Sequence, residues 1–128
     1  MKLLLDTHIL LWAAAGSGLP AASVQLIDDP GNDLFFSAAS LWEIAIKASL
    51  GRPDFALDAG VFRRELLESG YLEMPITGRH AAAVAALPDL HRDPFDRILI
   101  AQATVEGITL LTADVAVLAY PGPIRSAL

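Results

Sequence analysis

Met1-Lys2-Leu3-Leu4-Leu5-Asp6-Thr7-His8-Ile9-Leu10-Leu11-Trp12 is the stretch whose reading decides the fold. A short apolar run stops at a carboxylate and passes into a helical pattern with neither Gly nor Pro between. Leu3 to Leu5 reads as a strand buried on both faces, as in a parallel sheet. Asp6 then stands at the carboxyl end of that strand, where open α/β sheets place their ligands. The same residue also suits the N-cap of a helix beginning near Thr7. This stretch alone leaves both roles open.

Composition narrows the field. At 128 residues the chain has the length of one domain with one sizeable core, and 54% of it is hydrophobic. The absence of cysteine excludes disulfides and thiolate metal sites. No apolar run approaches the roughly 18 residues of a membrane-spanning helix. Three leucines before the first Asp are too few for a secretory signal, so a cytoplasmic protein without membrane contact is expected. Nine basic against fifteen acidic residues give a formal charge of −6. That argues against nucleic-acid binding through a broad basic patch, but not against a nuclease whose acids surround a metal.

Working outward, helix one is expected over 7–15, closed by Gly16-Ser17-Gly18. Pro20, near N1, opens a second helix to about Asp28, and Asp29-Pro30-Gly31-Asn32 is a turn cluster. Leu34-Phe35-Phe36 is a second strand. Ser37 to Ser40 lead into the clearest helix, which ends at Leu50 with Gly51 at C′ and Pro53 beyond. On it Leu41, Ile44, Ala45 and Ala48 form one apolar stripe and Trp42, Ile46 and Leu50 another, with Ser40, Glu43 and Lys47 as the polar row between. The second stripe, extended by Val61, Phe62 and Leu66 of the next helix (58–69), is read either as more core or as a groove for a partner helix. A third strand is expected over 71–76, and Thr77 caps a helix ending at Pro88. A helix over 94–106 carries Phe95, Ile98, Leu99, Gln102 and Val105 on one face. A buried strand over 108–112 leads to Asp114, and a last short strand follows Tyr120-Pro121-Gly122-Pro123. Strands alternating with helices predict a three-layer α/β/α domain around a short, mostly parallel sheet.

The acids fall at the joints of this pattern. Asp114, like Asp6, follows a fully apolar strand, so a parallel sheet brings both to one edge; it too could simply cap a helix. Glu43 fits a capping box with Ser40 or an i, i+4 pair with Lys47, yet it stands on the only polar row of its helix, facing a cleft. Asp93 is a natural N-cap ahead of Pro94, and Asp96 shares its face at i+3. His8, His80 and His91 form no spaced metal triad and read as surface or loop residues. Converging carboxylates repel one another, so a bound cation is the natural resolution, and oxygen-only ligands suit Mg²⁺ or Mn²⁺ rather than zinc.

At this point the chain resembles a known family. Leu3-Leu4-Leu5-Asp6-Thr7-His8, Ser37-Ala38-Ala39-Ser40-Leu41-Trp42-Glu43-Ile44, His91-Arg92-Asp93-Pro94-Phe95-Asp96-Arg97 and Leu111-Thr112-Ala113-Asp114 look like the four motifs of PIN-domain ribonucleases. More narrowly they are similar to the VapC toxins of type II toxin–antitoxin pairs. The resemblance implies a single PIN domain over 1–128 in which Asp6, Glu43, Asp96 and Asp114 fill the four catalytic, metal-holding acidic positions, Asp93 being the competitor of Asp96. It implies that the Thr7 and Thr112 hydroxyls hold neighbouring carboxylates in place. It further implies a Mg²⁺- or Mn²⁺-dependent endoribonuclease that acts on RNA, forms homodimers and is neutralised by a VapB-type antitoxin. Two other classes are kept beside it. An aspartyl phosphoryl-transfer protein would want a second Asp where His8 stands, and a non-catalytic interaction module would use only the apolar helices.

Overall fold

The computed structural model describes residues 1–128. Strands β1 (Lys2–Leu5), β2 (Asp33–Ser37), β3 (Leu72–Met74), β4 (Thr109–Thr112) and β5 (Ile124–Ser126) form one sheet in the order β3-β2-β1-β4-β5. All four pairings are parallel, with Leu4 opposite both Phe35 and Leu110, so β1 is central and covered on both faces. That burial is why its sequence is a plain leucine run rather than an alternating one.

Successive residues of β1 point to opposite faces, and each face has its own core. Leu3 and Leu5 join Ile9, Leu10, Phe36 and Ile44 on one side, whereas Leu4 joins Leu99, Ile100, Leu110 and Val117 on the other. The first layer is built from α1 (Thr7–Ala15), α2 (Ala21–Asp28), α3 (Ala38–Ser49) and α4 (Ala59–Glu68). The second contains α5 (Gly78–Ala83), α6 (Pro94–Glu106) and α7 (Val115–Leu118). Right-handed crossovers explain the division: stepping from β1 to β3 leaves helices on one face, and returning to β4 and β5 leaves them on the other. The direction reverses between β1 and β4, which opens a crevice at their carboxyl ends.

Several expectations change in detail. Pro20 is the N-cap residue of α2 rather than its first helical residue. β3 stops at Met74, because Pro75 has no N–H to continue a ladder. The helix capped by Thr77 ends at Ala83 and tightens into a 3-10 turn, Val84–Ala86. A second 3-10 turn, Pro53–Phe55, was not anticipated; it delivers a fully buried Phe55 to the core. On α3, Ala45 is exposed rather than core-facing, while Trp42 and Leu50 are 61% and 72% exposed. Phe62 and Leu66 are core residues and do not extend that exposed stripe.

The largest revision concerns α6. Its buried residues are Asp96, Leu99, Ile100, Ala101, Gln102 and Ala103, while Phe95, Ile98 and Val105 are only partly covered. The helix packs on the sheet and also against α3 and α5, so it is apolar over most of its circumference and periodicity misjudged its roll. Gln102 fixes that roll. Its Oε1 accepts the Ser37 hydroxyl at 2.6 Å and its Nε2 donates to the Pro75 carbonyl at 3.3 Å, joining α6 to the ends of β2 and β3. Replacing it leaves the buried Ser37 hydroxyl without its acceptor and the part-buried Pro75 carbonyl without this donor, at about 1–3 kcal/mol for such an orphaned group. Gln102→Leu should therefore lower the free energy of urea unfolding by about 2 kcal/mol, with an unchanged m-value. A loss of under a few tenths would show that the tie carries no stability.

Candidate metal centre

Asp6 continues β1 by one residue, its N–H donating to the Leu111 carbonyl at 3.0 Å. Its carboxylate is thereby fixed over the crevice between β1 and β4. Oδ1 accepts the Thr7 N–H at 2.6 Å, and Oδ2 accepts the Thr112 hydroxyl at 2.6 Å. The capping role and the edge position thus belong to one side chain with two oxygens. Burial raises its pKa above the usual carboxylate range, the Thr112 and Thr7 hydrogen bonds oppose that, and repulsion from Glu43 adds to it.

Glu43 is buried on α3 and reaches the same crevice. Oε1 accepts the Thr7 hydroxyl at 2.7 Å, and the Ser40 hydroxyl lies 2.9 Å from that of Thr7. Oε2 meets the Lys47 ammonium at 2.5 Å, so the i, i+4 pairing holds. The capping box does not: α3 starts at Ala38 and is capped by Ser37, whose Oγ accepts the Ala39 N–H at 3.0 Å. Ser40 therefore lies inside the helix, free to face Thr7.

Asp93 N-caps α6, its Oδ1 accepting the N–H groups of Phe95 at 2.8 Å and Asp96 at 3.3 Å. This cap fixes the first turn and presents Asp96 to the crevice. Asp96 is 8% exposed and its Oδ2 lies 2.8 Å from His91 Nε2. Burial, then repulsion from Asp6 and Asp93, raises its pKa to about 7 against the opposing hydrogen bond from His91; Asp114 adds a smaller repulsion. Asp114 caps α7 through an Oδ1 that accepts the Ala116 N–H at 2.9 Å, and its own N–H donates to Thr112 Oγ1 at 3.1 Å. Thr112 thus connects Asp114 to Asp6.

Asp6, Glu43, Asp93, Asp96 and Asp114 all line one cavity of about 300 Å³, with His8, Trp12, Lys47 and Ala113. All the expected acids come together, Asp93 included. Of the three histidines, only His80 departs from the surface or loop reading. His91 leans on Asp96, and a ligand atom from each of His91, Asp93 and Asp96 lies within 4.8 Å of the others. His80 is buried, its Nδ1 accepting the Thr77 N–H at 3.0 Å and its Nε2 lying 3.2 Å from Glu106. Residues that hold the site from behind were also missed. Arg97 donates to the Pro88 carbonyl at 2.9 Å, the Val84 carbonyl at 3.2 Å and the Tyr120 hydroxyl at 2.9 Å. Tyr120 in turn donates to the His91 carbonyl at 3.2 Å, which ties down the loop ahead of Asp93. Only the adjacency of Arg97 to Asp96 hinted at this.

The donor set fits a hard divalent cation: several carboxylates at one point, two with raised pKa values, and one lysine to offset them. A larger cavity, about 1030 Å³, shares Trp12 with the acidic one; Leu34, Phe62, Leu66 and Tyr71 line it beside Asp28 and Glu65. No helix is long and apolar enough to cross a membrane.

The PIN domain profile matches residues 3–121, and the chain belongs to the PIN-domain family. Within it, the chain is 33% identical over 113 residues to Ribonuclease VapC22 of Mycobacterium tuberculosis, covering 87% of this chain and 85% of that protein. Its fold matches that of VapBC2 from Rickettsia felis bound to a promoter DNA fragment, with a TM-score of 0.73 at 15% identity over 98% of each chain. DNA-bound VapBC from Salmonella typhimurium gives 0.67 at 16% identity over 100% and 99%.

Crowding makes stability depend on pH. An unfolded Asp titrates near about 3.9, whereas folded Asp96 titrates at about 7. The folded state therefore holds that proton more tightly, and the associated stability, full below the unfolded value, is lost as pH rises through the folded one. In chelator, Asp96→Asn should gain stability relative to wild type between pH 4 and 7, with the difference levelling off above about pH 8. Urea unfolding at several pH values checks this; a pH-independent difference would contradict the raised pKa.

Proposed function

We propose that the chain is the toxin of a toxin–antitoxin pair, an endoribonuclease that hydrolyses RNA phosphodiester bonds with Mg²⁺, or Mn²⁺, held by Asp6, Asp96, Asp114 and Glu43. The observation that supports it best is the meeting of these carboxylates at the reversal point of a parallel sheet, two of them with raised pKa values. When bound, such a cation supplies Lewis acidity to phosphoryl oxygens and acidifies water. The protein's part is placement. Thr112 and the Thr7 N–H hold both oxygens of Asp6, the Thr7 hydroxyl orients Glu43, and the Asp93 cap sets the direction of Asp96. Asp93 is thus read as a positioning residue, with Asp96 the ligand.

The antitoxin belongs to the same reading, since the structural relatives were solved as VapBC complexes. The larger cavity suits its docking segment better than the Trp42 face does. Phe62, Leu66 and Tyr71 give it an apolar floor, and Asp28, Asp29, Asp33 and Glu65 would receive a basic amphipathic segment. Trp42 instead packs edge-on against Phe95, with ring centres 5.3 Å apart. Homodimerisation is also part of this reading, and sedimentation would measure it.

Asp6→Asn and Asp96→Asn should abolish metal-dependent RNA cleavage while each variant stays folded. Thr112→Val, which keeps every ligand but frees Asp6 Oδ2 and the Asp114 N–H, should lose about 10–100-fold in activity or metal affinity. Mg²⁺ should raise the melting temperature of wild type by mass action but not that of Asp6→Asn. Wild-type cleavage by either Asn variant, or full activity in excess chelator, would overturn the metal site. No cleavage by the wild-type chain would favour an interaction module. Sequencing cleavage ends in total RNA after induced expression would name the target.

A further inference from the structure

Lys47 is the one lysine or arginine lining the acidic cavity. It occupies a built position. Its side chain is 19% exposed, its ammonium lies 4.8 Å from the centre of the Phe55 ring and 5.9 Å from that of Phe95, and it meets Glu43 Oε2 at 2.5 Å. Phe55 is fully buried and Phe95 stands in the first turn of α6, so the ammonium lies beside two aromatic rings at the pocket. Cation–π attraction to both rings adds to the Glu43 pair in holding the ammonium at the pocket.

A lysine here needs a reason. A divalent cation among Asp6, Asp96 and Asp114 would offset only part of the charge of the five carboxylates that line the cavity, and Lys47 stands beside that position on Glu43. The charge is retained to advantage if the ligand brings its own negative charge, as an RNA phosphate does. The chain as a whole is −6 and offers little attraction to a polyanion, so a cation inside the pocket carries unusual weight. Ammonium on a flexible stem suits a phosphate oxygen as a compact point charge.

We propose that Lys47 is a phosphate-binding residue of the ribonuclease site: when RNA enters, its ammonium moves from Glu43 to a phosphate next to the bond that is cut. This rests on the ribonuclease reading given above. In the protein alone the same ammonium is the counter-charge of Glu43.

The test compares Lys47→Met, which keeps the apolar stem, with Lys47→Arg, which keeps the charge. Each is placed in an Asp96→Asn background so that RNA is bound without turnover. Binding of a short fluorescent single-stranded RNA is followed by anisotropy in Mg²⁺ across a series of KCl concentrations, and cleavage by the parent chain is measured on the same RNA. Each phosphate contact contributes about 0.7 to the slope of log K against log[salt] for single strands. Lys47→Met should lower that slope by about 0.7 and weaken binding several-fold at low salt. Lys47→Arg should restore both. Melting temperatures check that both variants remain folded; if Lys47→Met does not, Lys47→Gln takes its place and must lower the slope in the same way. If Lys47→Met leaves slope and affinity unchanged, or tightens Mg²⁺ binding without touching either, the lysine is only the counter-ion of Glu43 and the proposal falls. If the parent chain fails to cut the RNA, the ribonuclease reading falls first and takes this proposal with it. A parent that cuts alongside an unchanged slope sinks the lysine alone.

Discussion

Asp6 is a carboxylate that must be buried for the crevice to exist, and two donors make that tolerable. An ionised carboxyl group removed from water is costly unless hydrogen-bonded. The Thr112 hydroxyl comes from the end of β4 and the Thr7 N–H from the first turn of α1, so the three elements that meet at the sheet's reversal point converge on one side chain. The compensation is incomplete, since burial still outweighs both hydrogen bonds and the group remains a weaker acid than usual. Asp96 is in the same position, with like charges added. The protein alone carries an electrostatic conflict at this edge, which a bound cation would relieve.

Around this point the capping roles of the acids and their convergence are the same arrangement. Asp6, Asp93 and Asp114 each N-cap a helix. A cap fixes its carboxylate relative to a helix axis, and three helices beginning at one sheet edge bring three carboxylates to one place. Capping is therefore how the cluster is assembled. Glu43 is the exception: it approaches from within α3, and its direction depends on Thr7 and on how α3 rests against α6. The Gln102 tie sets that packing from the far side of α6, through Ser37, the residue that also caps α3.

What could be read from the chain follows from this. Strands buried on both faces announce themselves as unbroken apolar runs, so β1 and β4, and with them Asp6 and Asp114, were legible without any structure. Glu43 and Asp96 were legible as polar positions on apolar helices that follow strands or turns. The roll of α6 was not, because a helix covered on several sides has no polar face from which to orient it. Nor was the burial of Phe62 and Leu66, since a surface stripe and a core stripe have the same period. Ser37 and Ser40 were exchanged as caps because both precede the same apolar pattern and only the backbone decides where a helix starts. His91 and Arg97 escaped notice because their partners, the Asp96 carboxylate and the carbonyls of Pro88 and Val84, are brought together by a loop with no period at all.

The two outermost strands of the sheet, β3 and β5, are only three residues each. An edge that short exposes few free N–H and C=O groups, and each strand carries charge: Glu73 paired to Arg63 on one, an exposed Arg125 on the other. Such edges discourage strand-to-strand addition by a foreign chain. Whatever this protein recognises must therefore do so through side chains in crevices and on helix faces rather than by extending the backbone ladder. The same feature protects a leucine-rich, two-sided sheet from templating its own aggregation when the chain is crowded.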